Sequence, residues 1–198
     1  VIPDMDPTQP AKANPKKLVT AINDFKCTNM FGSPAIIDKI GRYCESENIR
    51  LPSLRRVISA GAPARVTSIE RLLKYLDPGV QIFTPYGATE SLPVTFIGSN
   101  ELLKTKKQTE EGGGICVGKP VTGMQIAIIR ITNDPIHEWS NELKLNPNQI
   151  GEICVKGPVV TEAYYKRTKQ TKLAKIIEKN TNTVWHRMGD VGYLDNQG

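Results

Sequence analysis

Val80-Gln81-Ile82-Phe83-Thr84-Pro85-Tyr86-Gly87-Ala88-Thr89-Glu90 joins a short apolar run to a stretch of chemically varied residues. After the turn residues Asp77-Pro78-Gly79, the segment Val80 to Thr84 reads as a strand, because β-branched and aromatic side chains suit a pleated, half-buried surface. Working back from it, Thr67 to Leu76 repeats apolar residues at helical spacing, and Arg56 to Ala60 reads as a second strand. Ser33-Pro34 opens a helix carrying Ile36, Ile37, Ile40 and Tyr43, and Lys26 to Phe31 is another short strand. Asn14-Pro15 starts the first helix, with Asn as cap and Pro at the first position, ahead of Leu18, Ala21, Ile22 and Phe25. Strand and helix alternating at short intervals predict an α/β layer built on a parallel sheet.

Working forward, the pattern changes at Glu110 to Gly114, an acidic and glycine-rich break. Beyond it Met124 to Ile131 and Ile150 to Lys156 read as strands, separated by a long polar segment from Thr132 to Gln149. Val184 to Met188 and Val191 to Leu194 read as two more short strands around Gly189-Asp190, with a helix over Thr168 to Ile177. The expected organisation is therefore an α/β portion over 1–110 and a smaller β-rich, barrel-like subdomain over 111–198. There is no internal repeat.

Of the 198 residues, 39% are apolar and 23% charged, the balance of an ordinary globular chain. No stretch reaches the roughly 18 apolar residues of a membrane span, so an integral membrane protein is not expected. Cys27, Cys44, Cys116 and Cys154 are far apart, and three lie in apolar runs; the histidines are His137 and His186. Neither a zinc site nor a disulfide framework follows, and a reduced, cytoplasmic setting fits best. The net charge of +6 gathers at Lys166, Arg167, Lys169, Lys172, Lys175 and Lys179. Without interleaved stacking aromatics this reads as a solvated helix face rather than a nucleic-acid surface. Gly113, Gly118 and Lys119 have P-loop spacing, but Pro120 stands where a magnesium-binding Ser or Thr is required. The first residue is Val1, and the chain closes on the turn residues Asp195-Asn196-Gln197-Gly198, so both ends read as cuts.

Three stretches carry chemistry. In α/β sheets ligands bind beyond the carboxyl ends of strands, which is where Thr84 to Glu90 falls. Its aromatic ring, glycine, hydroxyl and carboxylate are groups that can stack a base, approach a phosphate and hold a magnesium ion. On composition alone, a polar turn with a core tyrosine is the commoner arrangement. Val57-Ile58-Ser59-Ala60-Gly61-Ala62-Pro63 runs a strand into exposed backbone, which an ordinary strand-to-helix turn would also do. Trp185-His186-Arg187-Met188-Gly189-Asp190 places a carboxylate at a strand end, able to accept two hydrogen bonds from a ribose diol or simply to cap a turn.

Taken in order, these residues resemble the adenylate-forming superfamily of acyl-CoA synthetases, peptide-synthetase adenylation domains and luciferases. Tyr86-Gly87-Ala88-Thr89-Glu90 is similar to its Tyr-Gly-x-Thr-Glu signature, and Gly151 to Gly157 to its Gly-Glu-Ile-x-Val-x-Gly motif. Tyr164-Tyr165 followed by Thr171 fits the next motif, with Ala163 where glycine is usual. Gly189-Asp190 falls at its Thr-Gly-Asp, with Met188 replacing the threonine. The resemblance covers essentially the whole chain. It implies the large N-terminal domain of such an enzyme, with Tyr86 stacked on adenine and Gly61, Ala62 and Pro63 bordering it. It places Thr89 at the AMP phosphate, Gly87 in the cofactor-binding loop beside it, Glu90 at magnesium and Asp190 at the ribose hydroxyls, Thr89 and Glu90 being the catalytic pair.

The subgroup most resembled is the olefin-biosynthesis ligases, understood as β-lactone synthetases. That implies ATP, AMP and Mg2+ as cofactors, a long-chain or β-hydroxy fatty acid as substrate, and an acyl-adenylate that closes to a β-lactone. Two alternatives stand beside it: an acyl-CoA synthetase transferring the acyl group to coenzyme A, and a non-catalytic nucleotide-binding module. The family's phosphate loop and C-terminal catalytic lysine have no counterpart in these residues, so the chain alone is expected to be inactive. Surfaces exposed by truncation are expected to favour self-association.

Overall fold

The computed structural model describes residues 1–196; Gln197 and Gly198, the close of the expected 111–198 region, lie outside the described residues. Two compact units make up the chain: Val1–Pro85 with Ile97–Gly118, and Tyr86–Phe96 with Lys119–Gly198. The division differs from a single cut after residue 110. The chain leaves the first unit midway along a strand, returns at Ile97, and the excursion Tyr86–Phe96 belongs to the second unit.

In the first unit α1 (Pro15–Asp24) starts as the sequence predicts, with the Asn14 side chain accepting from the Lys16 amide at 3.0 Å and Pro15 at the first position. Strands β1 (Asn29–Gly32), β2 (Arg56–Ser59) and β3 (Gln81–Ala88) follow, with α2 (Pro34–Glu47) and α3 (Val66–Leu73) between them. Asn29 pairs with Arg56 and Arg56 with Gln81, both parallel, the topology expected when helices make the crossovers. α2 ends on Asn48 in the left-handed region (φ 53°), a common helix stop. The helices bury Ile37, Ile40, Ile69 and Leu72, which join Leu51, Leu54, Val57 and Ile82 in one apolar core.

β3 does not stop at Thr84. It continues through Tyr86-Gly87-Ala88 and returns, over the two residues Thr89 and Glu90, as β4 (Ser91–Gly98). Gly87 permits this: a Cβ there would lie 2.5 Å from the Ser91 carbonyl oxygen and 2.8 Å from Leu92 Cδ1. Two short helices, α4 (Ser99–Lys104) and α5 (Lys106–Glu110), then precede the glycine-rich break, and β5 (Lys119–Pro120) pairs antiparallel with β4.

The second unit is built on a four-stranded antiparallel sheet. β6 (Gln125–Ile129) pairs with β7 (Gly151–Lys156), β7 with β9 (Thr183–Gly192), and β9 with β8 (Lys175–Glu178). Two expectations are corrected here. The helix expected over 168–177 is α6 (Thr168–Ala174) only, because Ile176 and Ile177 go into β8. Val184 to Leu194 holds one long strand rather than two short ones. Glu152 pairs with Val191 and Cys154 with Arg187, so Met188-Gly189-Asp190 bulges out opposite Ile153 alone, with Gly189 at φ 74°. Trp139 and Trp185 stack at 4.0 Å in the core of this unit. No helix among the described residues is long and apolar enough to cross a membrane.

Candidate functional site

The β9 bulge carries Asp190, and the β3–β4 hairpin carries Tyr86, Gly87, Thr89 and Glu90, all candidate site residues. A bulge re-aims the side chain next to it, and Asp190 is exposed although it lies within a strand. The Tyr86 hydroxyl donates to Asp190 Oδ2 at 2.8 Å, across 104 positions of sequence. The phenol is half-buried, and burial first, then the Asp190 carboxylate, push its ionisation far upward, so it stays a donor.

At the hairpin tip the Tyr164 hydroxyl donates to Glu90 Oε1 at 2.7 Å, and the Thr161 amide donates to the Glu90 carbonyl at 2.8 Å. The Tyr164 bond is the largest cause holding the Glu90 carboxyl below its ordinary range. Burial, then Glu90 itself, push the Tyr164 phenol up to about 12. Behind this pair Lys175 opens β8 at 5% exposure, with its ammonium 3.2 Å from Thr161 Oγ1 and 5.8 Å from the Tyr164 ring centre. Burial pushes that ammonium down to about 8, and Glu90 pulls it the other way. His186, also buried, has its Nδ1 3.2 Å from the Ala174 carbonyl, which can only accept; the ring therefore carries its proton there. Burial, then Lys175, lower its affinity for a second proton.

Of the residues singled out in the sequence, Tyr86, Gly87, Thr89, Glu90 and Asp190 fall in the second unit. Thr89 is exposed at the hairpin tip. The space above Gly87 is filled by the returning strand, which accounts for the glycine without any ligand. Gly61, Ala62 and Pro63 lie in the first unit, all exposed, just past β2; Gly61 sits at φ 94° with nothing within 4 Å of its would-be Cβ. Tyr164 was legible only as a motif residue without a role. Lys175, expected on a solvated helix face, is instead a buried strand residue. The signal was present, since the two β-branched residues that follow it break the polar run of the helix.

No group of three or more His, Cys, Asp or Glu among the described residues could cage a metal. Glu90 supplies one carboxylate, which is how magnesium is commonly held when phosphates complete its shell. Tyr86 and Asp190 place an aromatic ring and a carboxylate side by side, the donor set that suits a nucleoside.

The chain belongs to the AMP-binding enzyme family, whose profile matches residues 4–165. It is 43% identical over 201 residues to the olefin β-lactone synthetase of Stenotrophomonas maltophilia, a match covering all of this chain and 36% of that protein. Among solved structures it is similar to the long-chain-fatty-acid-CoA ligase of Archaeoglobus fulgidus, with a TM-score of 0.73 and 23% identity over 94% of this chain and 35% of that one. The O-succinylbenzoate coenzyme A synthetase of Bacillus subtilis, solved with ATP and magnesium ion, gives 0.69 at 23% identity, over 94% of this chain and 33% of that one. At such identities the structural likeness shows the fold. The chain spans about a third of the length of the relatives it matches.

Proposed function

We propose that the chain forms the AMP-binding part of an ATP-dependent ligase that activates a carboxylic acid as its acyl-adenylate. The observation that carries this reading is the Tyr86–Asp190 pair at 2.8 Å beside a hairpin tip bearing Thr89 and Glu90. In this reading the Tyr86 ring stacks on adenine while Asp190 accepts from the ribose hydroxyls. Thr89 bonds the phosphate, and Glu90 holds magnesium. Magnesium supplies charge neutralisation at the phosphates. Family membership supports the nucleotide, and the Bacillus relative was solved with both ATP and magnesium ion.

The acid's carboxylate oxygen attacks the α-phosphorus and the bond to pyrophosphate breaks. Similarity to an olefin β-lactone synthetase supports a β-hydroxy fatty acid as substrate. Its own hydroxyl then attacks the activated carbonyl, loses its proton, and releases AMP. A tethered hydroxyl has a high effective concentration, which offsets part of the ring strain. Incubating the full-length enzyme that carries this chain with ATP, magnesium and the β-hydroxy acid gives the β-lactone by NMR without any thiol. A thioester formed only with coenzyme A, and no lactone, would place it with the acyl-CoA ligases.

The chain alone contains no residue assigned to the transition-state charge, and it binds nucleotide without forming adenylate. Calorimetry is expected to give a Kd near the millimolar level, about −4 kcal/mol. Tyr86→Ala removes roughly 1–3 kcal/mol of stacking, and Asp190→Ala weakens binding further. Unchanged binding in both variants would overturn the site assignment.

A further inference from the structure

Tyr164 and Thr171 belong to a sequence motif that the nucleotide site leaves without a task, and the fold gives them one. From a single segment of the second unit, two groups reach the same residue. The Thr161 amide donates to the Glu90 carbonyl at 2.8 Å, and the Tyr164 hydroxyl donates to Glu90 Oε1 at 2.7 Å. Backbone and side chain of Glu90 are thus fixed together. The segment is itself braced: the Tyr164 amide donates to Thr171 Oγ1 at 3.1 Å, at the head of α6. Lys175, one residue past α6, donates to Thr161 Oγ1 at 3.2 Å and lies 5.8 Å from the Tyr164 ring centre, within cation–π range. Thr161, Tyr164, Thr171 and Lys175 form a bracket around the hairpin tip.

We propose that Tyr164 is a positioning residue: seated by Thr171 and Lys175, it holds one oxygen of Glu90 and presents the carboxylate to the magnesium that accompanies ATP. This rests on the reading of Glu90 given above. A hairpin tip is ordinarily free to move, and a lone carboxylate on a mobile two-residue turn is a poor cation ligand because ordering it costs conformational entropy. A phenol hydroxyl that already holds that carboxylate removes most of that cost before the ligand arrives. Tyr164 touches neither nucleotide nor metal in this scheme, so its loss acts through Glu90.

The test is calorimetric titration of the protein with ATP, at a series of magnesium chloride concentrations and in EDTA, for wild type, Glu90→Gln, Tyr164→Phe, Lys175→Met and the Glu90→Gln/Tyr164→Phe pair. Tyr164→Phe, which deletes one oxygen, raises the magnesium concentration for half-maximal ATP binding about tenfold, or about 1.4 kcal/mol. It leaves ATP affinity in EDTA and the melting temperature unchanged, which a merely structural role would not do. Lys175→Met shifts the magnesium dependence in the same direction by less. In the Glu90→Gln background Tyr164→Phe adds nothing further, because its target is gone. If Glu90→Gln shifts the magnesium dependence and Tyr164→Phe does not, the positioning role is overturned while the Glu90 reading stands. If Glu90→Gln itself leaves that dependence unchanged, the Glu90 reading fails and the positioning role fails with it.

Discussion

In the first unit the buried polar side chains are the serines Ser59, Ser68 and Ser99, whereas the second unit buries Glu152, Lys175, His186 and Arg187. The first is held by apolar area: Ile37, Ile40, Ile69, Leu72 and Ile82 are each at most 1% exposed, and full burial of each such side chain contributes about 1.5–3 kcal/mol. The second adds directional contacts. Arg187 donates to Glu152 Oε2 through Nε at 2.9 Å and Nη2 at 2.6 Å. It also donates to the carbonyls of Asp134, Leu173 and Thr132, which pins the long segment after β6 and the end of α6 onto the sheet. The contrast teaches where each unit fails. An apolar core weakens gradually as area is lost, but a paired buried charge is costly once its partner is removed.

Breaking the second unit therefore takes one substitution. Arg187→Leu leaves the buried Glu152 without its counter-charge and strands three carbonyls, at a cost of about 3–5 kcal/mol. The chain's tryptophans, Trp139 and Trp185, lie in the second unit, so their fluorescence follows it alone. The urea midpoint read by fluorescence should fall sharply while amide exchange over residues 15–85 stays slow. In the first unit Leu72→Ala costs about 2–5 kcal/mol and reverses the pattern, speeding exchange over α2 and α3 with tryptophan fluorescence unmoved. Equal loss in both units from either variant would erase the contrast. Replacing both partners, Glu152→Leu with Arg187→Leu, sharpens it: the pair's net contribution is small, so the double variant recovers much of the loss.

The same contrast explains what could be read from the sequence. The first unit announced itself through period: Leu18 and Ile22 on α1, Ile36, Ile37 and Ile40 on α2, and the Asn14-Pro15 start are signals of local spacing that packing then honours. The second unit depends on which distant groups meet, and spacing carries none of that. Gly189-Asp190 reads as a strand end because Gly-Asp usually turns a chain; pairing with β7 carries β9 through it as a bulge. Thr84 to Glu90 reads as a loop because Pro85 and Gly87 punctuate it, yet the return of β4 keeps the strand going. The site residues were legible only as motif members. Tyr86 meeting Asp190, and Tyr164 meeting Glu90, are long-range contacts that no window of the sequence contains.

The smallest expected effect concerns pH. Lys175 is buried, and burial lowers its ammonium from the ordinary lysine value of 10.5 to about 8. Between those two values the unfolded chain holds a proton that the folded chain has released, so stability rises with pH across that window. Below about pH 8 the cost of burying the charge is present in full. The Cys44 and Cys154 thiols, pushed up to about 11 and about 12 by burial, act in the opposite direction above pH 9.0. Lys175→Met keeps both cysteines and the stem's apolar volume, and removes the titrating group together with its pH-independent contacts to Thr161 and the Tyr164 ring. The change with pH in the difference between wild type and variant therefore isolates the lysine. In urea titrations followed by tryptophan fluorescence, wild type should gain on Lys175→Met by on the order of 1–3 kcal/mol from pH 8 to 10.5. Parallel curves would mean that the ammonium keeps enough water to titrate normally. The second unit would then bury one charge fewer than its geometry indicates, and the difference between the two units would rest on Glu152 and Arg187.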